Sequence, residues 1–375
     1  MTSAEFAPNV CLQPEGRSQR SGSLRNLALE GLARMFDPEA GRFLFRVRRT
    51  AGGVVREGHS DRYTAIALLG LAGERLPQVR AALHGRAAGE VWRALCERIA
   101  SSRNLGDTAL TLWAGVALGE DDRQRVSERL VGMRPEQGPH PTVELAWTLS
   151  ALSVDGSRAT GELRRLIAER LLDVQAECGA FAHLVGGGAG LRRHVGCFAD
   201  QVYPIQALSL HAERTGERSA AKAAERAAEL IVKRQGPAGQ WWWHYDVRTG
   251  AVVEPYPVYA VHQDAMAPMA LLALRRATGF DASEAVERGL DWLSHSPELG
   301  GGSLVDSAAG LIWRKVARRE PGKLSRRLQA AATRLHPSLR VPGLDRLFPP
   351  VAVDYEDRPY HLGWLLHAFP APEAP

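Results

Sequence analysis

Q-G-P-A-G-Q-W-W-W-H-Y-D, Gln235 to Asp246, is the stretch whose reading decides the fold. After a turn through Arg248, Thr249 and Gly250 the chain continues as E-P-Y-P-V-Y-A-V-H-Q-D-A-M-A-P-M-A-L-L-A-L, ending at Leu274. The stretch holds the spacing Q-x-x-x-G-x-W, with Gly239 and Trp241. The same spacing returns at Gln175, Gly179 and Phe181. Near Asp37 it reads D-P-E-A-G-R-F, with Gly41 and Phe43, and near His295 it degrades to S-P-E-L-G-G-G-S-L. The glycine suits a positive-φ helix stop. The aromatic can cover the helix end, and the glutamine amide can satisfy backbone groups left free there. This repeat argues for a fold and not for a chemistry.

Outward from it, the pattern is helical almost throughout from Leu24, and strand-like alternation is scarce. One kind of helix is amphipathic and charged: Glu90 to Ser101, Asp122 to Val131, Arg158 to Asp173, Ala220 to Arg234 and Ser283 to Ser294. The other is short and apolar nearly all round: Thr64 to Ala72, Ala109 to Leu118, Leu145 to Leu152, Ile205 to Leu210, Ala265 to Leu274, Ala308 to Trp313 and Leu362 to Phe369. Helices apolar on every side are buried, and one-faced helices meet water. Their alternation predicts an inner ring sheathed by an outer one, and six or seven inner helices suffice to close it. Met1 to Ser23 is polar and aperiodic, which predicts a loose arm before a single unit from 24 to 375.

The alternation and the Gln-to-Trp turn resemble the α/α toroids. That group holds six-hairpin glycosidases, uronate lyases and epimerases on one side and terpenoid cyclases on the other. The turn itself is similar to the repeat of the triterpene cyclases. The resemblance covers about Leu24 to Phe369 and implies an all-α, six-hairpin toroid. The ending R-P-Y-H-L-G-W-L-L is faintly similar to the last helix of glucuronyl epimerases.

Composition narrows the function classes. The 375 residues are 45% hydrophobic and 24% charged, ordinary for a soluble globular chain. The formal charge of +5 is spread over scattered arginines, so no nucleic-acid stripe is expected. Cys11, Cys96, Cys178 and Cys197 form no C-x-x-C pair and read as free thiols. The start M-T-S-A-E-F-A-P-N-V has no apolar h-region, so a cytoplasmic protein is expected. No apolar run is long enough for a membrane span. G-G-G at Gly186 to Gly188 lacks the G-K-[ST] of a phosphate loop, so no nucleotide is implied.

The inner helices begin with polar groups: S-D-R-Y at Ser60, G-D-T at Gly106, P-T-V-E at Pro141, A-D-Q-V-Y-P at Ala199, V-H-Q-D at Val261, V-D-S at Val305 and D-R-P-Y-H at Asp357. Helix capping accounts for Asp61, Asp107 and Asp306. It does not account for Tyr203, His262, Gln263, Tyr360 and His361, which would project into the mouth of the ring. Aromatic walls with a few polar groups suit a hydroxyl-rich ligand. A sugar offers C–H faces to Tyr63, Trp242, Trp243, Tyr245 and Tyr256, and hydroxyls to Gln201, Gln263 and His361. Asp200 and Asp264 could act as acid and base, with Asp246 a third candidate. Alternatively Tyr259 or Tyr203, with His262 or His244, could move a proton beside a uronate carboxylate held by Arg62 or Arg358. Each residue also has a structural role open to it. The tryptophans can plug gaps between helices, His244 and His361 can be satisfied core histidines, and Asp246 can be a turn residue.

These readings lead to a carbohydrate-active hydrolase, lyase or epimerase with a saccharide or other small-molecule substrate. No cofactor and no metal are expected, and the oligomeric state stays open. A terpenoid-cyclase or prenyltransferase-like toroid is the alternative enzyme. A D-x-D-D acid is missing, and the nearest Asp, Cys and His set (Asp200, Cys197, His194) has no matching spacing. A non-catalytic glycan-binding or scaffold toroid is the third reading.

Overall fold

The computed structural model describes residues 15–187 and 190–372. Helices alternate between an outer and an inner layer. Outer α1 (Glu15–Met35) leads through a β-hairpin to inner α2 (Asp61–Leu71), and a short α3 (Leu76–Ala82) follows. The next pairs are outer α4 (Ala88–Ile99) with inner α5 (Leu105–Ala117), and outer α6 (Gln124–Gly132) with inner α7 (Thr142–Asp155). Then come outer α8 (Gly161–Val174) with inner α9 (Phe198–Thr215), and outer α10 (Arg218–Lys233) with inner α11 (Ala267–Thr278). A π-helical turn (His262–Met266) opens α11. Outer α12 (Ser283–Ser294) is separated from inner α15 (Pro359–Ala368) by an excursion carrying α13 (Leu324–Leu335) and α14 (Leu344–Leu347). The inner helices touch in the order α2, α5, α7, α9, α11, α15, and α15 packs back against α2, so six of them close a ring.

Closure needs two glycines. A Cβ on Gly70 would sit 2.3 Å from the carbonyl oxygen of Gly363, and one on Gly363 would sit 2.5 Å from that of Ile66. The first and last inner helices therefore meet backbone to backbone.

The two ends of the ring differ. Inner helices α7, α9 and α11 end at Gly156, Gly216 and Gly279, whose φ values of 61°, 74° and 83° suit sharp left-handed stops. Short turns follow. At the other end, where inner helices begin, the connections are long and carry strands.

Those strands correct the all-α expectation. Among the described residues they form five small antiparallel sheets. The largest pairs Phe36–Asp37, Gly53–His59 and Glu356–Asp357 around Arg42–Thr50. Ala308 to Trp313 is not an inner helix. Val305–Asp306 pairs with Leu311–Ile312 across a turn in which Asp306 accepts the Ala309 N–H and Gly310 has φ 63°. A short apolar run with Gly310 inside it suits a tight hairpin as well as a helix turn. The inner helices therefore number six and not seven. Helix α1 begins at Glu15, inside the stretch expected to be a loose arm; residues 1–14 of that stretch lie outside the described residues.

The Gln–Gly–aromatic turn is a precise clamp. Gln235 Nε2 donates to the carbonyls of Gly239 (2.9 Å) and of Ala285 on α12 (2.8 Å). Gln175 Nε2 does the same to Gly179 (3.0 Å) and Ala223 on α10 (2.8 Å). An arginine of the following outer helix, Arg288 or Arg226, donates to each glutamine oxygen. Each clamp thus joins one outer helix to the next around the ring.

Candidate functional site at the ring mouth

Each inner helix follows an outer helix of opposite direction, so all six start at the same end. The first turns of α2, α5, α7, α9, the π turn and α15 therefore share one mouth. Ser60 Oγ caps α2 by accepting the Tyr63 N–H, and Asn104 Oδ1 caps α5 by accepting the Asp107 N–H. Asp61 and Asp107, freed from capping, pair instead with Arg98 and Arg62 at 2.7 and 2.6 Å.

Aromatic rings cluster at this end, with Trp147, Tyr203 and Tyr259 buried and Tyr63, Trp243 and Tyr360 half-buried. Tyr63 stacks on Phe45 (5.6 Å, 14°) and lies 4.8 Å from Tyr360. Trp147 meets Tyr203 edge-on at 5.0 Å. Trp243 stacks on His262 (5.6 Å, 9°) and approaches Tyr259 at 4.8 Å. Cations lie among the rings. Arg62 sits over Trp147 at 5.4 Å, and Arg314 and Lys315 over Tyr259 at 5.2 and 5.5 Å. Arg358 donates to the Tyr63 hydroxyl at 3.0 Å and pairs with Glu356 at 2.7 Å. Sequence reading missed Arg314 and Lys315. They sit on a strand (Lys315–Ala317) and its approach, and W-R-K after an apolar run was the signal available.

Two Asp–His pairs differ in access. Asp264 accepts from His361 Nε2 at 2.7 Å, and Asp357 lies 3.8 Å from His361 Nδ1. All three are buried. Burial opposes charge on His361, but Asp264 beside it outweighs that and raises its pKa. Burial pushes Asp357 up to about 6. This triad ties the π turn to α15, so Asp264 and His361 are fixed in the wall and not presented to a ligand.

The second pair reaches solvent. Asp200 is buried, and its Oδ2 accepts the Cys197 N–H at 2.7 Å. Its Oδ1 lies 3.2 Å from Nδ1 of His183, whose side chain is 56% exposed. The hydrogen bond that Asp200 accepts, then its charge, raises the His183 pKa. His183 escaped the sequence reading because it follows a turn read as purely structural. Two residues past Phe181, it holds the register that Trp243 holds past Trp241.

Several expected site residues are spent elsewhere. Gln201 exchanges both amide bonds with the backbone of Phe181, at 2.8 and 2.9 Å. Gln263 likewise accepts the Trp241 N–H at 3.1 Å and donates to the Tyr259 carbonyl at 3.0 Å. They complete the aromatic turns and have no amide group left for a sugar. Asp246 accepts the Arg248 N–H at 2.9 Å and its guanidinium at 2.6 Å, so it is a turn residue. Tyr245 is fully buried. Tyr256, with Trp242 edge-on at 5.9 Å, donates to Glu298 at 2.9 Å and belongs to the end of α12. His244 and His262 are buried, and desolvation lowers both, His262 to about 3. Both are neutral at pH 7, and His262 is too weak a base to collect a proton there.

No family model matches the chain, and no curated protein does. Solved structures match nearly end to end. Cellobiose 2-epimerase from Bacillus thermoamylovorans superposes with a TM-score of 0.63 at 12% identity, covering 94% of this chain and 99% of that one. An unsaturated glucuronyl hydrolase specific for heparin gives 0.59 at 13%, covering 95% and 96%. A possible GH105 family member from Klebsiella pneumoniae gives 0.58 at 11%, covering 98% and 97%. The fold is an α/α toroid. Within this toroid the strands and the aromatic mouth lie at the same end. No helix among the described residues is long and apolar enough to cross a membrane.

Proposed function

We propose that this toroid is a carbohydrate-active enzyme whose substrate carries a carboxylate, a uronate-containing glycan or its precursor. The observation that carries the reading is the interleaving of Arg62, Arg314, Lys315 and Arg358 with Tyr63, Trp147, Tyr259 and Tyr360 at one mouth. Aromatic faces take the C–H faces of a sugar ring. Arginines take its carboxylate in bidentate pairs. His183, backed by Asp200, is the solvent-facing proton-transfer group, placed to protonate a leaving oxygen or to take a proton from carbon or water. The names of the structural neighbours, a glucuronyl hydrolase and a sugar epimerase among them, support the class. Hydrolysis, elimination and epimerisation remain the three reactions of this reading. A glycan-binding scaffold is the outcome if turnover is absent.

The test is a panel of saturated and Δ4,5-unsaturated uronyl disaccharides beside neutral disaccharides. Turnover is followed by loss or gain of the conjugated alkene absorbance and by sugar chromatography. Turnover confined to uronyl substrates is expected. Arg358→Ala should raise KM at least tenfold, and His183→Ala should lower kcat at least a hundredfold. Binding without turnover would make the chain a glycan scaffold. Turnover of neutral sugars alone would remove the carboxylate from the reading.

A further inference from the structure

We propose that His183, Cys197 and Asp200 hold a divalent transition-metal ion of the zinc type, with the remaining coordination position open to the ring mouth. Their donor atoms all lie within 4.8 Å of one another. Ligands of a tetrahedral zinc stand about 3.3–3.8 Å apart. The His183 to Asp200 separation of 3.2 Å is already close to that spacing.

The local fold explains the convergence. Cys197 ends the strand Val195–Cys197 and is the N-cap of α9, and Asp200 lies in its first turn. A reciprocal capping box fixes both: Asp200 Oδ2 accepts the Cys197 N–H, and Cys197 Sγ accepts the Asp200 N–H. The box leaves Asp200 Oδ1 directed at His183. Backbone N–H groups on a sulfur ligand are the kind of outer-shell contact that orients metal donors.

The donor set selects the ion. A thiolate, an imidazole and a carboxylate are the zinc donor classes. Calcium and magnesium demand oxygen ligands and would not use two of the three. The two anionic ligands balance a dication, which compensates a buried carboxylate otherwise held by one half-exposed histidine and a backbone N–H.

An independent observation points to the same place. His244 is the register partner of Cys197 across the strand pair, which puts the two side chains on one face of the sheet. It is 94% buried by its 6% exposure, and its Nδ1 has no hydrogen-bond partner. A buried imidazole nitrogen without a partner, on the strand paired with that of Cys197, is an unspent polar group next to the proposed site. Arg192 Nη2 donates to His244 Nε2 at 3.4 Å, so Nδ1 is the unpartnered nitrogen of that ring.

This inference goes beyond the carbohydrate reading and reverses the expectation of a metal-free site. If it holds, His183 is a ligand, and a bound ion supplies Lewis-acid activation at the spot where that reading places proton transfer. The test uses the metal alone, so its result does not depend on any substrate. The full chain, stripped by chelator, is titrated with Co2+ and followed by electronic absorption, and with Zn2+ against a chromophoric chelator.

One ion per chain is expected, with tetrahedral Co2+ bands in the visible and a thiolate-to-metal band in the near ultraviolet. Cys197→Ser should remove the ultraviolet band, whereas Cys178→Ser should retain it. His183→Ala, at an exposed side chain that folding does not need, should weaken Zn2+ at least tenfold. Circular dichroism checks that each variant is folded. Absence of stoichiometric binding, or a thiolate band that survives in Cys197→Ser, overturns the proposal. So does an unchanged Zn2+ affinity in folded His183→Ala.

Discussion

Burial holds His262 and His367 uncharged, taking their pKa values from 6.5 down to about 3 and about 4. The unfolded chain protonates both near 6.5, and the folded chain does not. Their contribution is therefore complete above pH 6.5 and is lost as pH falls toward those lower values. At pH 4 each costs about 3 kcal/mol. His262→Phe keeps the ring between Phe198 and Trp243 while removing the titration. Urea midpoints from pH 7 to 4.5 should fall less steeply for this variant than for the parent; parallel profiles would refute the assignment. The same residues show how much of the site was legible. That Arg62, Tyr63, Tyr203, Arg358 and Tyr360 lie near the starts of inner helices was legible in the alternation of helix kinds, and Trp243 and Tyr259 in the aromatic run before α11. That Gln201, Gln263 and Asp246 are consumed by backbone was not. Gln201 meets Phe181 and Gln263 meets Trp241, pairings fixed by how one turn seats on the next helix. No local pattern encodes that seating.

At the scale of the element, the Gln–Gly–aromatic turn carries both layers. Gly239 has φ 94°, and a Cβ there would stand 2.0 Å from the Arg288 carbonyl oxygen. Gly239→Ala should cost about 2 kcal/mol or more, through backbone strain and displacement of α12. Gln235→Ala removes two hydrogen bonds, leaving the Gly239 carbonyl without its partner, and should cost about 1–3 kcal/mol. Chemical denaturation measures both, and a loss below about 0.5 kcal/mol for Gln235→Ala would remove the clamp from the account. The turn was readable because its glycine and glutamine act within five residues. The strands were not. Arg42–Thr50 mixes basic and apolar residues, and it pairs with Glu356–Asp357 from the far end of the chain. Ala308 to Trp313 misled for the converse reason: five apolar residues around one glycine fit either period, and Gly310 turns the chain.

The molecule as a whole depends on the seam between α2 and α15. That seam brings Arg62 and Tyr63 to Arg358 and Tyr360, so it forms the ring and one wall of the mouth together. Gly363→Val would press against Ile66 and Ala67 backbone atoms 2.5 and 2.8 Å from a Cβ, and neither can yield without parting the helices. Loss of several kcal/mol is expected, with loss of any mouth-dependent turnover at temperatures where the chain stays helical. Calorimetry tests whether 24–375 is one unit. A single transition is expected for the parent, and two resolved transitions would divide it.

The seam also sets an order of events during synthesis. Helices α1 and α2 leave the ribosome well before α15, yet both pack against it. Through most of translation the apolar sides of these two helices wait uncovered, an open shell missing its final stave. Such a nascent chain presents apolar surface early and buries it only once α15 has emerged, so its yield in cells should depend strongly on trigger-factor-like or Hsp70-like holding.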